Sequence, residues 1–174
     1  MSARIIYTPL KRKDLKHFVE GFCSRYPRLC SSIGLGQSGM AYEVSAEGVV
    51  VYVVDGVPIA FRYGEEVLPT LVVVRMAGME STSYVVVDAG AVKPILNGAD
   101  VMAPGIVEAS PFSVGDTVVV WSLDRRTPLA VTKALMGSSE VLAVKRGRAL
   151  KNLHHAGDDV WGISLEALKK FGKL

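Results

Sequence analysis

Long apolar runs and side-chain amides are both scarce in this sequence of 174 residues. Gln37, Asn97 and Asn152 are the only amides, and such thermolabile residues are depleted in hyperthermophilic proteins. The longest uninterrupted apolar stretch, Val49–Val54, is far shorter than the roughly 20 residues that a membrane-spanning helix needs. Residues 1–10 lack the basic flank and apolar stretch of a secretory signal. These absences predict a soluble, intracellular protein.

Cysteine is rare as well. Cys23 and Cys30 are the only two, so they cannot form a metal site on their own, and their spacing is not that of a redox pair. Buried free thiols are the simpler interpretation. A disulfide is the alternative, because the interiors of thermophilic proteins sometimes contain one.

The excess of positive charge is small. The formal net charge of +3 does not by itself indicate a polyanionic partner. Its distribution is more informative, because Lys145, Arg146, Arg148 and Lys151 fall within seven residues. Such a run is compatible with an ordinary solvated face and also with an edge that contacts phosphate. These residues alone leave the choice open.

The N-terminal half begins with a predicted amphipathic helix. It opens at Thr8-Pro9, a capping hydroxyl followed by proline, and ends before Pro27. Apolar residues recur along it at helical spacing, namely Leu15, Phe18, Val19, Phe22, Cys23 and Tyr26. The other side carries Lys11, Arg12, Lys13 and Lys16, which are either solvated or bind phosphate.

From Tyr42 onward the pattern is that of strands. Val49–Val54 and Val57–Tyr63 flank Asp55-Gly56, which is a strong signal for a hairpin. Residues 71–76 are predicted to form a further strand. Small and polar residues at 77–83 then mark a domain junction. We therefore predict an N-terminal domain at residues 1–80, a second domain at 84–162 and a short C-terminal helix at 163–174.

The second domain is predicted to consist mainly of short strands separated by glycine turns, which is typical of a small β-barrel. Its predicted helices lie at 89–97 and Ser138–Val144. Its predicted strands lie at 85–87, Val101–Met102, 117–123, 129–135, 150–154 and 160–163. The fold class expected for the whole chain is α+β.

A glycine motif in the N-terminal half has the spacing of a dinucleotide-binding loop: Gly34-x-Gly36-x-x-Gly39. That chemistry needs a strand before the glycines and a helix after them. Here a helix is predicted before them and a strand after them, so we interpret the motif as an ordinary loop.

Four residues that can ligate metals lie close together near the C-terminus: His154, His155, Asp158 and Asp159. Adjacent residues of a strand point to opposite faces, so the two histidines cannot readily share one ion. No motif recruits a nucleophile, a base and an orienting group. The sequence thus predicts no metal site, no cofactor and no catalytic residues.

From Asp88 onward a set of motifs resembles a PUA domain, a small RNA-binding β-barrel. In order they are Asp88-Ala89-Gly90-Ala91, the segment Asn97-Gly98-Ala99-Asp100-Val101-Met102-Ala103-Pro104-Gly105-Ile106, Val114-Gly115-Asp116, Leu129-Ala130-Val131, residues 147–158 and Trp161. Together they cover residues 84–161. Thr132 departs from the pattern, since glycine is usual there, and His155 stands where tyrosine is common.

The N-terminal part is similar to the malignant-T-cell-amplified-sequence family. The similarity rests on Tyr26-Pro27, Val54-Asp55-Gly56, Phe61-Arg62 and Leu68-Pro69-Thr70-Leu71. That family joins a small α/β pre-PUA domain to a C-terminal PUA domain, and archaeal proteins share the layout. The resemblance implies a cytoplasmic protein that contacts the small ribosomal subunit and the acceptor end of tRNA. It also implies a protein partner for the N-terminal domain.

The resemblance implies where RNA would bind. In PUA domains the groove is formed by the short helix, by the strand at Val101–Met102 and by the last long strand. The matching positions, with two neighbouring basic residues, are Ala91, Lys93, Asn97, Gly98, Met102, Ala103, Pro104, Gly105, Lys145, Arg146, Arg148, Lys151 and His154. Lys93, Arg148 and Lys151 would neutralise phosphate, while the backbone would read RNA shape.

The leading hypothesis is therefore a non-catalytic RNA-binding protein that acts in translation or on the ribosome. An accessory RNA-binding subunit for tRNA or rRNA modification is the alternative, because PUA domains often have that role. An enzyme with an unrecognised small-molecule site is the second alternative. A tightly bound cofactor would favour that enzyme, whereas co-purifying RNA would favour the leading hypothesis.

Overall fold

The computed structural model describes residues 4–35 and 39–172. They divide into two compact units. The first comprises the described residues up to Ala77 and those from Asp158 onward, and the second comprises Gly78–Gly157. The sequence-based division differs from this in two places. It assigned residues 158–162 to the second domain and made the C-terminal helix a separate segment, whereas both belong to the first unit. Helices and strands occur in both units, which confirms the α+β fold class.

The first unit contains a five-stranded antiparallel sheet, and the second a curled six-stranded sheet. None of the helices in the described ranges combines the length and the apolar character that crossing a membrane requires. In chain order the elements are β1 (Ile6–Pro9), α1 (Arg12–Arg25), α2 (Pro27–Ile33), β2 (Ala41–Ala46), β3 (Val49–Val54), β4 (Val57–Tyr63), β5 (Glu66–Pro69), α3 (Leu71–Ala77), β6 (Ser83–Val87), α4 (Ala89–Leu96), β7 (Val101–Met102), β8 (Ile106–Ala109), β9 (Thr117–Trp121), β10 (Pro128–Ala134), α5 (Ser138–Val144), β11 (Arg148–His155) and α6 (Asp159–Lys170).

The strands of the first unit are adjacent in the order β1-β2-β3-β4-β5. The predicted hairpin between β3 and β4 is present, and Asp55 and Gly56 both have positive φ angles, of 53° and 81°. Such angles give a two-residue turn the twist that matches its flanking strands. The helix α1 buries Leu15 and Phe22, and its Phe18 ring lies 4.7 Å from the ring of Tyr52 on β3.

The first helix begins later than predicted. Thr8 and Pro9 lie in β1, which pairs with β2, and α1 starts at Arg12. Pro27 follows the end of α1, as predicted, but it also opens α2, where its missing N–H has no intrahelical partner to lose. The glycine motif that follows α2 includes Gly36, which lies outside the described residues.

The break between α1 and α2 brings the two cysteines together. The Cα atoms of Cys23 and Cys30 are 5.6 Å apart, and a disulfide joins the side chains. This separation is typical of a disulfide. The interpretation as free thiols is therefore wrong, because α1 ends at Arg25 and a second helix starts at Pro27, which places Cys30 within reach of Cys23.

Two segments that contain valine and are predicted as strands are helical. Residues 71–76 lie in α3, where the Thr70 hydroxyl accepts a hydrogen bond from the Val73 N–H at 3.2 Å. Residues 160–163 lie in α6, where an Asp158 carboxylate oxygen accepts from the Trp161 N–H at 2.8 Å. In both cases a side-chain cap and burial of an apolar face outweigh the strand preference of valine.

The six strands of the second unit are ordered β7-β11-β10-β9-β6-β8, and β6 pairs parallel with β9. Its core includes Val87, Ile95, Val120 and Leu150, which are almost fully buried. Thr132, the departure from the expected glycine, is also buried, and its hydroxyl donates to the Val118 carbonyl oxygen at 2.7 Å. The substitution therefore leaves no unsatisfied hydroxyl in the sheet.

Candidate nucleic-acid interface

The helix α4 is fixed at its start by Asp88. One Asp88 carboxylate oxygen accepts a hydrogen bond from the Ala91 N–H at 3.0 Å, as helix caps do. The backbone N–H of Asp88 donates to the Gly105 carbonyl oxygen at 2.9 Å. These two bonds hold the first turn of α4 beside the 3₁₀ turn Ala103–Gly105.

A groove of about 250 Å³ lies between α4, β7 and this turn. It is lined by Asp88, Gly90, Ala91, Pro94, Ile95, Asp100, Val101, Met102 and Gly105. A Cβ atom on Gly105 would lie 3.2 Å from the Cβ of Ala91, closer than ordinary van der Waals contact. Glycine at this position lets the turn approach the helix closely.

A hydrogen-bond network centred on Asp100 forms one wall of the groove. The two Asp100 carboxylate oxygens accept from the Asn152 N–H at 2.9 Å and from the Arg148 guanidinium at 3.0 Å. The Asn152 side-chain amide donates to the carbonyl oxygens of Ile95 and Ala99, at 3.1 and 3.0 Å. The network ties the end of α4 to β11. It also holds the exposed Arg148 side chain beside Met102, its partner in the β7–β11 pairing.

Charge is distributed unevenly around the groove. The lining residues include no Lys or Arg, and both acidic ones, Asp88 and Asp100, accept hydrogen bonds from the protein. Exposed cations lie nearby in the chain, with Lys93 on α4 and Lys145 and Arg146 just before β11. Within the described part of the chain these three cations form no ion pair. The arrangement suits a base or sugar in the groove and phosphates along the basic residues.

Two lysines face each other across the outer surface of the sheet. Lys133 on β10 is the strand partner of Lys151 on β11. Lys133 is not evident from the sequence, because it lies eighteen positions from Lys151 and only the strand register joins them.

The structure places the thirteen predicted site residues in different environments. Ala91, Met102 and Gly105 line the groove. Several others are exposed close to it in the chain, namely Lys93, Asn97, Gly98, Pro104, Lys145, Arg146, Arg148 and Lys151. Ala103 and His154 are each 1% exposed, so their side chains do not reach the surface and only their backbone could contact RNA.

The burial of the His154 side chain follows from the phase of β11. His155 is the residue that faces the end of α4, with its Nε2 atom 3.4 Å from where a Cβ of Gly98 would lie. The alternation of a strand gives one of two adjacent histidines to the core, and the sequence did not show which. Among the described residues, no group of three His, Cys, Asp or Glu side chains could hold a metal ion.

Removing the cap of α4 tests how the groove is held. Asp88→Ala is expected to lower the free energy of unfolding by about 1 kcal/mol, because the Ala91 N–H loses its acceptor. Asp88→Asn keeps an acceptor oxygen and should cost much less. Urea denaturation of the three proteins measures this difference. Equal destabilisation by Ala and Asn would show that the cap is not the cause.

Comparison with known proteins identifies a domain family for the second unit and relatives for most of the chain. The PUA domain family matches residues 83–156. The chain is 42% identical over 114 residues to a protein of Methanocaldococcus jannaschii, spanning 65% of this chain and 70% of that one. It is 32% identical over 125 residues to translation machinery-associated protein 20 of Saccharomyces cerevisiae, spanning 68% of each. Human malignant T-cell-amplified sequence 2 is 30% identical over 79 residues, which is 43% of this chain and 44% of that protein.

Solved structures agree with this relationship. A hypothetical protein of Pyrococcus horikoshii is 32% identical and has a TM-score of 0.75, covering 91% of this chain and 99% of that one. A PUA domain protein of Aeropyrum pernix is 28% identical and has a TM-score of 0.76, covering 95% and 94%. Both similarities extend over the first and second units.

Proposed function

Because the chain belongs to the PUA-domain family of translation machinery-associated protein 20 and has a translation-related RNA-binding role, we propose that it contacts the small ribosomal subunit and the acceptor end of tRNA. It acts as a binding protein without a catalytic step, and in the cytoplasm, where translation takes place. RNA enters the groove between α4 and β7.

The main support for this proposal is that apolar surface lies inside the groove and basic side chains lie outside it. The groove itself offers apolar surface and backbone, with Met102 half-exposed in its lining. The cations lie outside the lining. Structured RNA fits this pattern, because phosphate contacts set affinity and register while a base is held in a shape-selective groove.

Binding to defined RNAs tests the proposal. We expect the protein to co-sediment with archaeal small ribosomal subunits and to bind intact tRNA more tightly than tRNA lacking its single-stranded 3′ end. Binding to neither would contradict the proposal. Selective binding to a modification substrate, with no binding to subunits, would instead support an accessory role in RNA modification.

The basic residues of β11 give a quantitative prediction. Changing Arg148 and Lys151 together to Ala should weaken binding to different structured RNAs by similar factors, because phosphate contacts carry little sequence information. The slope of log K against log salt should flatten by about 1.4 to 1.8, from about 0.7 to 0.9 for each lost contact. Binding titrations at several salt concentrations measure this slope.

A matched control is available in the same unit. Arg125 and Arg126 are exposed, and Arg125 pairs with Glu108 much as Arg148 pairs with Asp100. Changing Arg125 and Arg126 to Ala removes the same charge and should leave the slope unchanged. An unaltered slope in the Arg148 and Lys151 variant, with a normal melting curve, would remove β11 from the RNA site.

A further inference from the structure

The start of α1 carries a basic segment, which we define as Lys11, Arg12, Lys13 and Lys16. All four side chains are exposed. None of them forms an ion pair among the residues that the structure describes. Asp14 is the only acidic residue in the first turn of the helix. The segment therefore carries four positive charges against the single negative charge of Asp14.

These charges do not help α1 to form. The N-terminal end of a helix is the positive end of its dipole, so Lys and Arg there are unfavourable. Arg12 and Lys16 are also four residues apart, where like charges repel on a helix surface. Lys11, at the N-cap position, supplies no capping hydrogen bond. Helix dipole and charge repulsion thus give no reason for Lys and Arg to occupy the start of α1.

Packing of α1 depends on other residues. Leu15 and Phe22 are buried, and Phe18 stacks on Phe22 and contacts Tyr52 on β3. The apolar side of the helix is thus covered by the first unit itself. Near its start, α1 exposes charged side chains and no apolar surface.

We propose that the basic segment is a second RNA-binding surface, separate from the groove of the second unit, which contacts the phosphate backbone. This inference rests on the proposed RNA-binding function and extends it to the first unit. Lysine and arginine side chains that are exposed and unpaired contact phosphates at little cost. Local charge that opposes folding is expected at functional sites.

Other anionic partners fit this patch less well. A helix that binds a membrane surface needs an exposed apolar face beside its basic one, whereas the apolar face of α1 is buried. Protein interfaces are depleted in lysine and centre on buried aromatic or arginine anchors, and three of the four residues here are lysines. A nucleic-acid backbone requires only the charge.

The test uses the full chain with Lys13→Gln and Lys16→Gln combined, since glutamine is a good helix former. The probe is an RNA hairpin with a single-stranded 3′ end. Its affinity should fall roughly tenfold, and the slope of log K against log salt should flatten by about 1.4 to 1.8. The melting temperature should stay the same or rise, because unfavourable charges leave the helix start.

The control is Arg75→Gln combined with Lys169→Gln, which removes the same charge from exposed positions in the last turns of α3 and α6. This variant should keep the affinity and slope of the parent. If both variants lower affinity equally, only the net charge of the protein matters, and the inference of a defined surface is wrong.

The proposed function and the inference about the basic segment can be contradicted independently of each other. If the Lys13 and Lys16 variant binds the hairpin like the parent, the inference is wrong and the proposed function stands. If the parent binds no structured RNA, the proposed function itself is wrong. Binding of the parent to vesicles rich in anionic lipid, lost in the variant while RNA affinity is retained, would overturn RNA as the partner of this surface.

Discussion

Met102→Glu is expected to reduce RNA affinity about a hundredfold. Met102 lines the groove, is 49% exposed and is the strand partner of Arg148. A carboxylate about 6 Å from a phosphate, at an effective dielectric constant of about 20, costs roughly 2 to 3 kcal/mol. The new carboxylate would also compete for the Arg148 guanidinium, which removes a cation from the edge of the groove.

Met102→Gln is the matched control, because it has the size and shape of the glutamate variant without its charge. Its affinity should stay within about threefold of the parent, as a surface substitution of small energetic effect. Both variants should melt like the parent, since the side chain is half outside the core. If the glutamate variant is fully folded and binds RNA as tightly as the parent, the groove is not the RNA site.

The disulfide is expected to make the largest single contribution to stability among the features described. It closes a loop of eight residues from Cys23 to Cys30, and the chain-entropy relation for a loop of this length gives about 2.5 kcal/mol. Cys23→Ser with Cys30→Ser should therefore lower the free energy of unfolding by about 2.5 kcal/mol. Urea denaturation of the two proteins, without reductant, measures the difference.

Reductant provides the control for this experiment. It should destabilise the parent and leave the double serine variant unchanged, because that variant has no bond to reduce. The second unit contains neither cysteine, so RNA binding through the groove should survive. Two free thiols in the unfolded, unreduced parent would contradict the disulfide.

Prediction from sequence was most accurate in the second unit, at elements whose structure is set by a short local motif. The helix after Asp88, the strand at Val101–Met102 and the helix Ser138–Val144 were all predicted from local pattern. Each combines a turn or cap residue with a short apolar run, so little depends on distant contacts. The PUA domain could be identified from this part of the chain alone.

The errors occurred where tertiary contacts decide between two locally acceptable structures. The valines of α3 suit a strand as well as a buried helix, and only the Thr70 cap with burial against the sheet favours the helix. The prediction for residues 160–163 failed in the same way, although the helical spacing of Val160, Ile163 and Ala167 was available. At such positions hydrophobic pattern and propensity do not decide between helix and strand unless the surface that the segment packs against is known.

The candidate site shows the same limit. Lys133 joins Lys151 only through strand register, and the choice between His154 and His155 depends on strand phase. The disulfide depended on recognising that Pro27 opens a second helix as well as following the first. In each case the residue types were visible in the sequence, but their positions relative to one another came from the fold.

The division of the first unit along the chain has a consequence for synthesis. Its last helix, α6, contributes the buried residues Val160, Ile163, Ala167 and Leu168, yet it follows the whole second unit in sequence. As the chain emerges from the ribosome, Gly78–Gly157 can therefore complete its core while the earlier residues still lack theirs. We expect the groove between α4 and β7 to form first and the core of the N-terminal sheet to be completed only after α6 has left the ribosome.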